Sequence, residues 1–268
     1  MKFGVCGGIA EANKIKLIKE SGYDYVEGSF QYLANGSPEE KAVTPDLLKE
    51  YDLPCKVVNC FLPGDLKPHG PKTDNAKLYD YIKRGLEYGK PIGLEKVIFG
   101  SGGAKQIDPG EDYYTAFNET AEFLHDIVSP LFAEYGVILA IEPLRPVECN
   151  LINTVREGAM LAAAAKADNI FVLADLYHMV ESGDRWVNMY ELTGKLRHAH
   201  ISNPHRGGQH NRIYMKSVDE FDYFGFLYAL QKVGCDTCSV EAGVLDFDQD
   251  IPAAIKVLKT VERMTEVV

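Results

Sequence analysis

The sequence lacks several features that define common classes of protein. Its longest purely apolar run covers only residues 159–165, whereas a membrane-spanning helix needs roughly twenty apolar residues, so we expect no membrane partner. It also has no block of clustered Lys and Arg, and 28 Lys+Arg against 39 Asp+Glu give a net charge of −11. Because a surface that follows a phosphate backbone needs clustered positive charge, we expect no nucleic-acid partner.

Export and redox signals are missing as well. The short apolar stretch at residues 3–6 turns at once into Gly7-Gly8, without the core of a signal peptide, so we expect a cytoplasmic protein with six reduced cysteines. Cys235 and Cys238 have CxxC spacing, but there is no second pair to complete a zinc site, and we interpret them as buried small side chains.

The chain does contain a regular alternation of short apolar segments and helical patterns. Eight segments rich in β-branched and apolar residues are predicted strands, at 3–6, 23–27, 55–59, 96–99, 137–141, 170–174, 196–201 and 237–240. Predicted helices lie between them, at 11–21, 44–51 (after a loop at 35–41), 74–89, 113–135, 154–167, 187–195, 218–233 and 248–264. This alternation predicts right-handed βαβ units and a parallel sheet.

Eight such units in 268 residues favour a (β/α)₈ TIM barrel that spans residues 1–268 as a single α/β domain. The alternative is an open, doubly wound sheet. An open sheet of that kind usually carries a Gly-rich phosphate-binding turn after its first strand, and the sequence has neither a G-x-G-x-x-G turn nor a P-loop. We therefore predict the barrel.

The functional site of such a barrel lies at the carboxyl ends of its strands. Four consecutive predicted strands end there in a titratable residue, namely Glu142, Asp175, His200 and Glu241. A single carboxylate at a strand end is often only a cap for the next helix. Three carboxylates converging with an imidazole, however, would repel one another unless a cation lay among them, so we predict a divalent metal centre. Oxygen donors with one nitrogen and no thiolate favour Mn²⁺, with Mg²⁺ or Co²⁺ as alternatives.

Further polar residues flank this set. Glu148 lies in the loop after the fifth strand, and His178 lies just beyond the sixth. His198 and His200 are two positions apart and therefore point the same way, and we interpret His198 as a hydrogen-bonded core residue one layer deeper. Arg206 belongs to a Gly-rich loop, where its guanidinium could hold a substrate oxygen or be solvated.

Together these residues resemble the xylose-isomerase-like sugar isomerase/epimerase superfamily, and within it the ketose 3-epimerase (tagatose/psicose epimerase) branch. In that branch the metal Glu is followed six positions later by a substrate Glu, as Glu142 is by Glu148. The metal His is followed at the same spacing by a substrate Arg, as His200 is by Arg206. The branch's Asp-x-x-His-Met element reads Asp-Leu-Tyr-His-Met at residues 175–179. The resemblance covers essentially the whole chain and is densest over 141–243.

The resemblance implies a divalent-metal-dependent ketose epimerase or sugar isomerase that acts through a cis-enediolate. Glu142 and Glu241 would be both metal ligands and acid/base groups, since moving a stereocentre beside a carbonyl requires removing and returning a proton. Glu148, His178 and Arg206 would hold the O1 and O2 end of a small-molecule sugar. Homo-oligomers are common among these barrels, and the sequence leaves this open.

Several alternatives stay open at this stage. The loop after Arg206 and the ends of the first two strands depart from the epimerase branch, so the sugar is undetermined. The same centre could serve an inosose or hydroxypyruvate isomerase, or a lyase that opens a 3-keto-sugar conjugate. The net charge of −11 counts against an AP-endonuclease-like enzyme. The presence of all four candidate ligands counts against a non-catalytic sugar-binding barrel.

Overall fold

The computed structural model describes residues 1–205, 212–243 and 246–267. Within these residues, parallel strands pair in chain order and the eighth pairs with the first, which closes a barrel. The strands are β1 (Lys2–Cys6), β2 (Tyr25–Ser29), β3 (Val57–Asn59), β4 (Lys96–Phe99), β5 (Ile138–Ile141), β6 (Ile170–Asp175), β7 (Leu196–Ile201) and β8 (Thr237–Val240). The predicted TIM barrel is confirmed, and closure rules out the open sheet.

Helices connect successive strands. They are α1 (Ala12–Ser21), α2 (Phe30–Asn35), α3 (Pro38–Glu50), α4 (Asn75–Gly89), α5 (Gly102–Lys105), α6 (Tyr113–Phe123), α7 (Ser129–Tyr135), α8 (Val155–Ala164), α9 (Leu176–Ser182), α10 (Tyr223–Lys232) and α11 (Phe247–Thr265). A π-helical segment, Leu124–Val128, joins α6 to α7, and 3₁₀ turns cover Lys90–Ile92 and Trp186–Leu192. Gly22 and Gly136 end α1 and α7 with φ of 94° and 68°, the left-handed cap that favours glycine. None of the described helices is long and apolar enough to cross a membrane.

The segment after β2 differs from the sequence prediction. The sequence predicts a loop at 35–41, which is rich in Gly, Ser, Pro and Glu, and a short helix at 44–51. The structure instead has α2 directly after β2, and α3 begins at Pro38 and contains Pro45. Tertiary contacts hold the early turns of α3: Lys41 Nζ lies 3.5 Å from the ring centre of Tyr88, and the hydroxyls of Tyr32 and Thr44 are 3.0 Å apart.

The buried apolar side chains of the described residues form two separate clusters. The large one lies between the barrel and its helices and includes residues such as Val5, Ile15 and Leu258. The small one lies inside the barrel and consists of Tyr25, Val57, Ile98, Ala140 and Leu173. Because the inner apolar cluster comes from β2 to β6, the remaining interior is left for polar side chains of β7, β8 and their neighbours.

Candidate metal centre

The four predicted ligands come together at the carboxyl ends of β5 to β8. Glu142, Asp175, His200 and Glu241 each offer a donor atom, and these atoms all lie within 4.8 Å of one another. Parallel pairing sets this arrangement, since Asp175 lies opposite His200 in the β6–β7 ladder and the Glu241 N–H bonds to the Ile201 carbonyl at 3.1 Å. The side chain of Asp175 also caps α9, so its helix-cap role and its place in the cluster coexist.

The cluster is centred on one ring nitrogen of His200. Its Nδ1 lies 2.9 Å from Glu241 Oε2, 3.1 Å from Glu142 Oε1 and 3.8 Å from Asp175 Oδ2. One imidazole nitrogen can donate at most one hydrogen, so three carboxylates exceed what it can satisfy. Glu241 Oε2 is buried, and its 2.9 Å contact with Nδ1 lacks hydrogen-bond geometry, so it accepts no hydrogen bond from the described residues. A cation between these atoms would satisfy the carboxylates that the ring nitrogen cannot.

A fourth carboxylate, that of Glu27, fixes the other side of the His200 ring. The ring Nε2 of His200 is 2.9 Å from Glu27 Oε1, and the Glu27 side chain is fully buried in the middle of β2. Burial alone would raise the pKa of Glu27, but the neighbouring His200 and His198 hold it well below its usual range. An ionised carboxylate only accepts, so Nε2 carries a hydrogen and Nδ1 faces the cluster, the arrangement found for metal-bound histidines.

Among the described residues, Arg212 places a guanidinium against the cluster. Its two terminal nitrogens lie 2.9 Å from Asp175 Oδ2 and 3.0 Å from Glu241 Oε1. Its backbone carbonyl accepts from the Gly243 N–H at 3.1 Å, which ties it to the segment after β8. Burial would raise the pKa of Glu241, but Arg212 and His200 lower it to about 2. Negative side chains still outnumber positive ones here, which suits a divalent cation.

The predicted substrate residues are only partly brought together. His178 lies at the rim: its own N–H donates to Asp175 Oδ1 at 3.0 Å, and its ring Nδ1 accepts from the Arg145 N–H at 3.2 Å. Glu148 is paired with Arg145, at 2.5 Å between Oε1 and Nε, and its side chain is 40% exposed. Arg206 lies outside the described residues.

Sequence reasoning missed Glu27, Arg145 and Arg212. Glu27 carried a usable signal, because it is two positions after Tyr25 on β2 and the same alternation directs both into the barrel. Arg212 follows a Gly-rich loop, and no spacing in the sequence indicates that it contacts Asp175. His198, interpreted as a core residue, is indeed buried and hydrogen-bonded rather than part of the four-residue cluster.

The segment after β4 holds Glu142 in place. Lys105 is fully buried, and its Nζ donates to the carbonyl oxygens of Phe99 and Glu142 at 3.1 and 2.6 Å. Gly100 follows β4, and a Cβ built on it would lie 2.2 Å from Glu142 Oε2. The carboxylate can occupy its position only because residue 100 has no side chain.

Replacing Gly100 with alanine is expected to displace the Glu142 carboxylate while leaving the barrel folded. The atom in the way is the end of a flexible side chain, so we expect a melting temperature close to the wild-type value. A misplacement of about 1 Å can lower activity about 10²-fold, and we expect a loss of that order in kcat/KM. Gly64→Ala is the control, because its Cβ would lie at an ordinary 3.7 Å from Gly103. Equal activity in the two variants would refute this role for Gly100.

Comparison with known proteins agrees with this fold. A family model described as xylose isomerase-like TIM barrel matches residues 15–261. The chain is 28% identical over 231 residues to L-ribulose 3-epimerase of Mesorhizobium japonicum, which covers 84% of this chain and 72% of that protein. A solved structure of L-ribulose 3-epimerase has TM-score 0.81 and 19% identity, covering 100% of this chain and 98% of the other. One of 3-keto-D-glucoside 4-epimerase from E. coli has TM-score 0.78 and 19% identity, with 97% and 99% covered.

The fold and the cluster define a TIM barrel whose strand ends carry a candidate metal centre. Because the family model matches most of its length, the chain belongs to the xylose isomerase-like TIM barrel family.

Proposed function

We propose that this protein is a divalent-metal-dependent ketose 3-epimerase that acts on an unphosphorylated sugar. The observation that carries the proposal is the convergence of Glu142, Asp175 and Glu241 on Nδ1 of His200. The similarity to an L-ribulose 3-epimerase supports a ketose as substrate. The lack of a basic cluster in the sequence supports a substrate without phosphate.

The residues present fit a divalent ion. Glu142, Asp175, Glu241 and Nδ1 of His200 would hold it, and hard oxygen donors favour Mn²⁺, Mg²⁺ or Co²⁺. A divalent ion supplies electrostatic stabilisation for the negative charge that develops on sugar oxygens when a neighbouring C–H loses its proton. Glu27 orients His200 by accepting its Nε2–H, which also increases the basicity of Nδ1.

Glu142 and Glu241 would exchange the proton at C3. They stand on β5 and β8, three strands apart around the rim, so their carboxylates can flank a sugar that lies over the cluster. One carboxylate removes the proton from one face of the carbon, and the other returns a proton to the opposite face, which inverts the stereocentre. Both carboxylates lie within about 3 Å of the same His200 nitrogen, close enough to act on one substrate carbon.

Glu148, His178 and Arg206 would orient the O1 and O2 end of the sugar. The part-exposed carboxylate of Glu148 is available as an acceptor for sugar hydroxyls. Because Nδ1 of His178 accepts from the Arg145 N–H, its Nε2 carries the hydrogen and can donate to a sugar oxygen. Arg145 forms an ion pair with Glu148, and its second ion pair, to Glu181 at 3.2 Å, keeps the guanidinium in place.

A substrate panel tests the proposed activity. The protein is incubated with Mn²⁺ and, separately, with D-fructose, L-ribulose, a keto-inositol, hydroxypyruvate and a 3-keto-glycoside, and the products are identified by chromatography and NMR. We expect C3 epimers of one or more ketoses. Release of the aglycone from the 3-keto-glycoside would instead identify a lyase, and conversion of only the keto-inositol or hydroxypyruvate would identify one of the alternative isomerases.

A further inference from the structure

A continuous chain of polar side chains runs through the barrel from its amino end to the metal centre. Lys96, at the start of β4, donates from Nζ to Thr237 Oγ1 at 2.9 Å. Thr237 Oγ1 is 2.8 Å from Nδ1 of His198, and Nε2 of His198 is 2.9 Å from Glu27 Oε2. The other oxygen of Glu27 is 2.9 Å from Nε2 of His200. This hydrogen-bond network thus ends at the His200 ring, whose Nδ1 faces the three carboxylates.

With a neutral His198 ring, the shortest contacts give each hydrogen bond in this network one direction. The carboxylate of Glu27 accepts from Nε2 of both histidines, so Nδ1 of His198 must be an acceptor. The hydroxyl of Thr237 therefore donates to His198 Nδ1 at 2.8 Å, its nearest acceptor, and accepts from Lys96. Its other possible acceptors, the Arg197 carbonyl oxygen and Asp236 Oδ1, are longer contacts at 3.4 and 3.5 Å. The three N–H groups of Lys96 are all used, since Nζ also lies 2.7 Å from Asp236 Oδ1 and 2.9 Å from the Arg197 carbonyl oxygen.

We propose that Thr237 and His198 are positioning residues for the metal centre. The Thr237 hydroxyl fixes the hydrogen of His198 on Nε2, His198 in turn fixes the Glu27 carboxylate, and Glu27 holds His200 with Nδ1 toward Glu142, Asp175 and Glu241. This inference rests on the proposed metal centre. It adds that hydrogen bonds reaching through the barrel, as far as Thr237 and Lys96, hold the His200 ring in its orientation.

The position of this hydrogen-bond network indicates that its polar side chains do more than fill the barrel interior. The neighbouring interior is filled by the apolar cluster of Tyr25, Val57, Ile98, Ala140 and Leu173, and hydrophobic side chains would fill the rest without loss of hydration. Burying a lysine, two histidines and a glutamate is costly unless every member is satisfied. A fully satisfied polar network specifies one arrangement of its members, and here the arrangement ends at a candidate ligand.

The test compares Thr237→Val, which keeps the side-chain shape and removes the hydroxyl, with Thr237→Ser, which keeps the hydroxyl. The metal-free proteins are titrated with Mn²⁺ or Zn²⁺ against a chelating indicator. Residues that hold a metal-bound histidine through hydrogen bonds change metal affinity about 10–100-fold. We expect about a tenfold loss for Thr237→Val, at the lower end of that range. Thr237→Ser should bind like the wild type. Equal affinity of the valine variant and the wild type would overturn the positioning role.

A second measurement needs no variant. Long-range ¹H–¹⁵N spectra of the histidine rings in the Zn²⁺-loaded wild-type protein report which nitrogen carries the hydrogen. We expect the hydrogen on Nε2 in both His198 and His200, and a hydrogen on Nδ1 of His198 would overturn the inference even if Thr237→Val did not fold. Failure of the wild type to bind any ion would remove the proposed function and this role together, whereas wild-type binding with unchanged affinity in Thr237→Val would remove this role alone.

Discussion

Changing either Glu142 or Glu241 to glutamine is expected to lower kcat for epimerisation by about 10²–10⁴-fold, the range for removal of a general acid or base. An amide cannot take up the C3 proton, and it also withdraws one negative charge from the cluster around His200. Both residues belong to the same constellation, with Oε atoms 3.1 and 2.9 Å from His200 Nδ1. The two single variants should therefore be similarly impaired, and the double variant should be little worse than either.

Steady-state kinetics at saturating Mn²⁺ measures this effect. Glu87→Gln is the matched control, because Glu87 is exposed on α4 and far from the strand ends, and it should have wild-type kcat and KM. Full activity in Glu241→Gln would refute the two-carboxylate mechanism. A selective rise in KM with unchanged kcat would instead assign Glu241 to sugar binding.

Changing Glu27 to glutamine is expected to weaken metal binding by about 10–100-fold. The carboxylate accepts from Nε2 of both His198 and His200, each at 2.9 Å. The amide oxygen of glutamine can accept only one of these bonds, and its NH₂ group would face the N–H of the other ring. One histidine must then rotate or move its hydrogen to the other nitrogen, which disturbs the Nδ1 that faces the cluster.

Titration of the metal-free variant with Mn²⁺ gives the affinity directly. Tyr25→Phe is the control on the same strand and the same inward face: its hydroxyl bonds to Ser239 Oγ at 2.8 Å, and Ser239 Oγ makes only a long contact, 3.4 Å, with His198 Nε2. That variant should lose about 1 kcal/mol of stability and keep its metal affinity. If Glu27→Gln bound Mn²⁺ as tightly as Tyr25→Phe does, the orienting role of Glu27 would be wrong.

The barrel and the four-residue cluster were predictable because both depend on local patterns. The ends of β5 to β8 are marked by an abrupt change from buried apolar residues to Glu142, Asp175, His200 or Glu241, and parallel pairing brings such ends to one rim. Strands β4, β7 and β8 begin and end where the sequence placed them. Short, strongly patterned segments between glycine caps leave few alternatives.

The missed features depend on contacts between residues far apart in the chain. Glu27 and His200 are separated by 173 positions, and only closure of the barrel places one against the other. The composition of residues 35–41 favoured a loop, but α3 begins at Pro38, and Lys41 near its start packs on Tyr88. The link from Lys96 through Thr237 to His198 likewise joins three strands, and no spacing in the sequence indicates it.

Isotope exchange tests the central claim most directly, because proton removal at C3 that depends on a bound ion is what separates this function from every alternative. The metal content of the purified protein is measured, and the protein is then incubated with D-fructose and with L-ribulose in deuterated water, with and without a chelator. Bound Mn²⁺ or a similar ion, together with deuterium at C3 that disappears with the chelator, is the predicted result. Exchange at C1 alone would indicate aldose–ketose isomerisation, and a protein that binds no ion and exchanges no hydrogen would contradict the account.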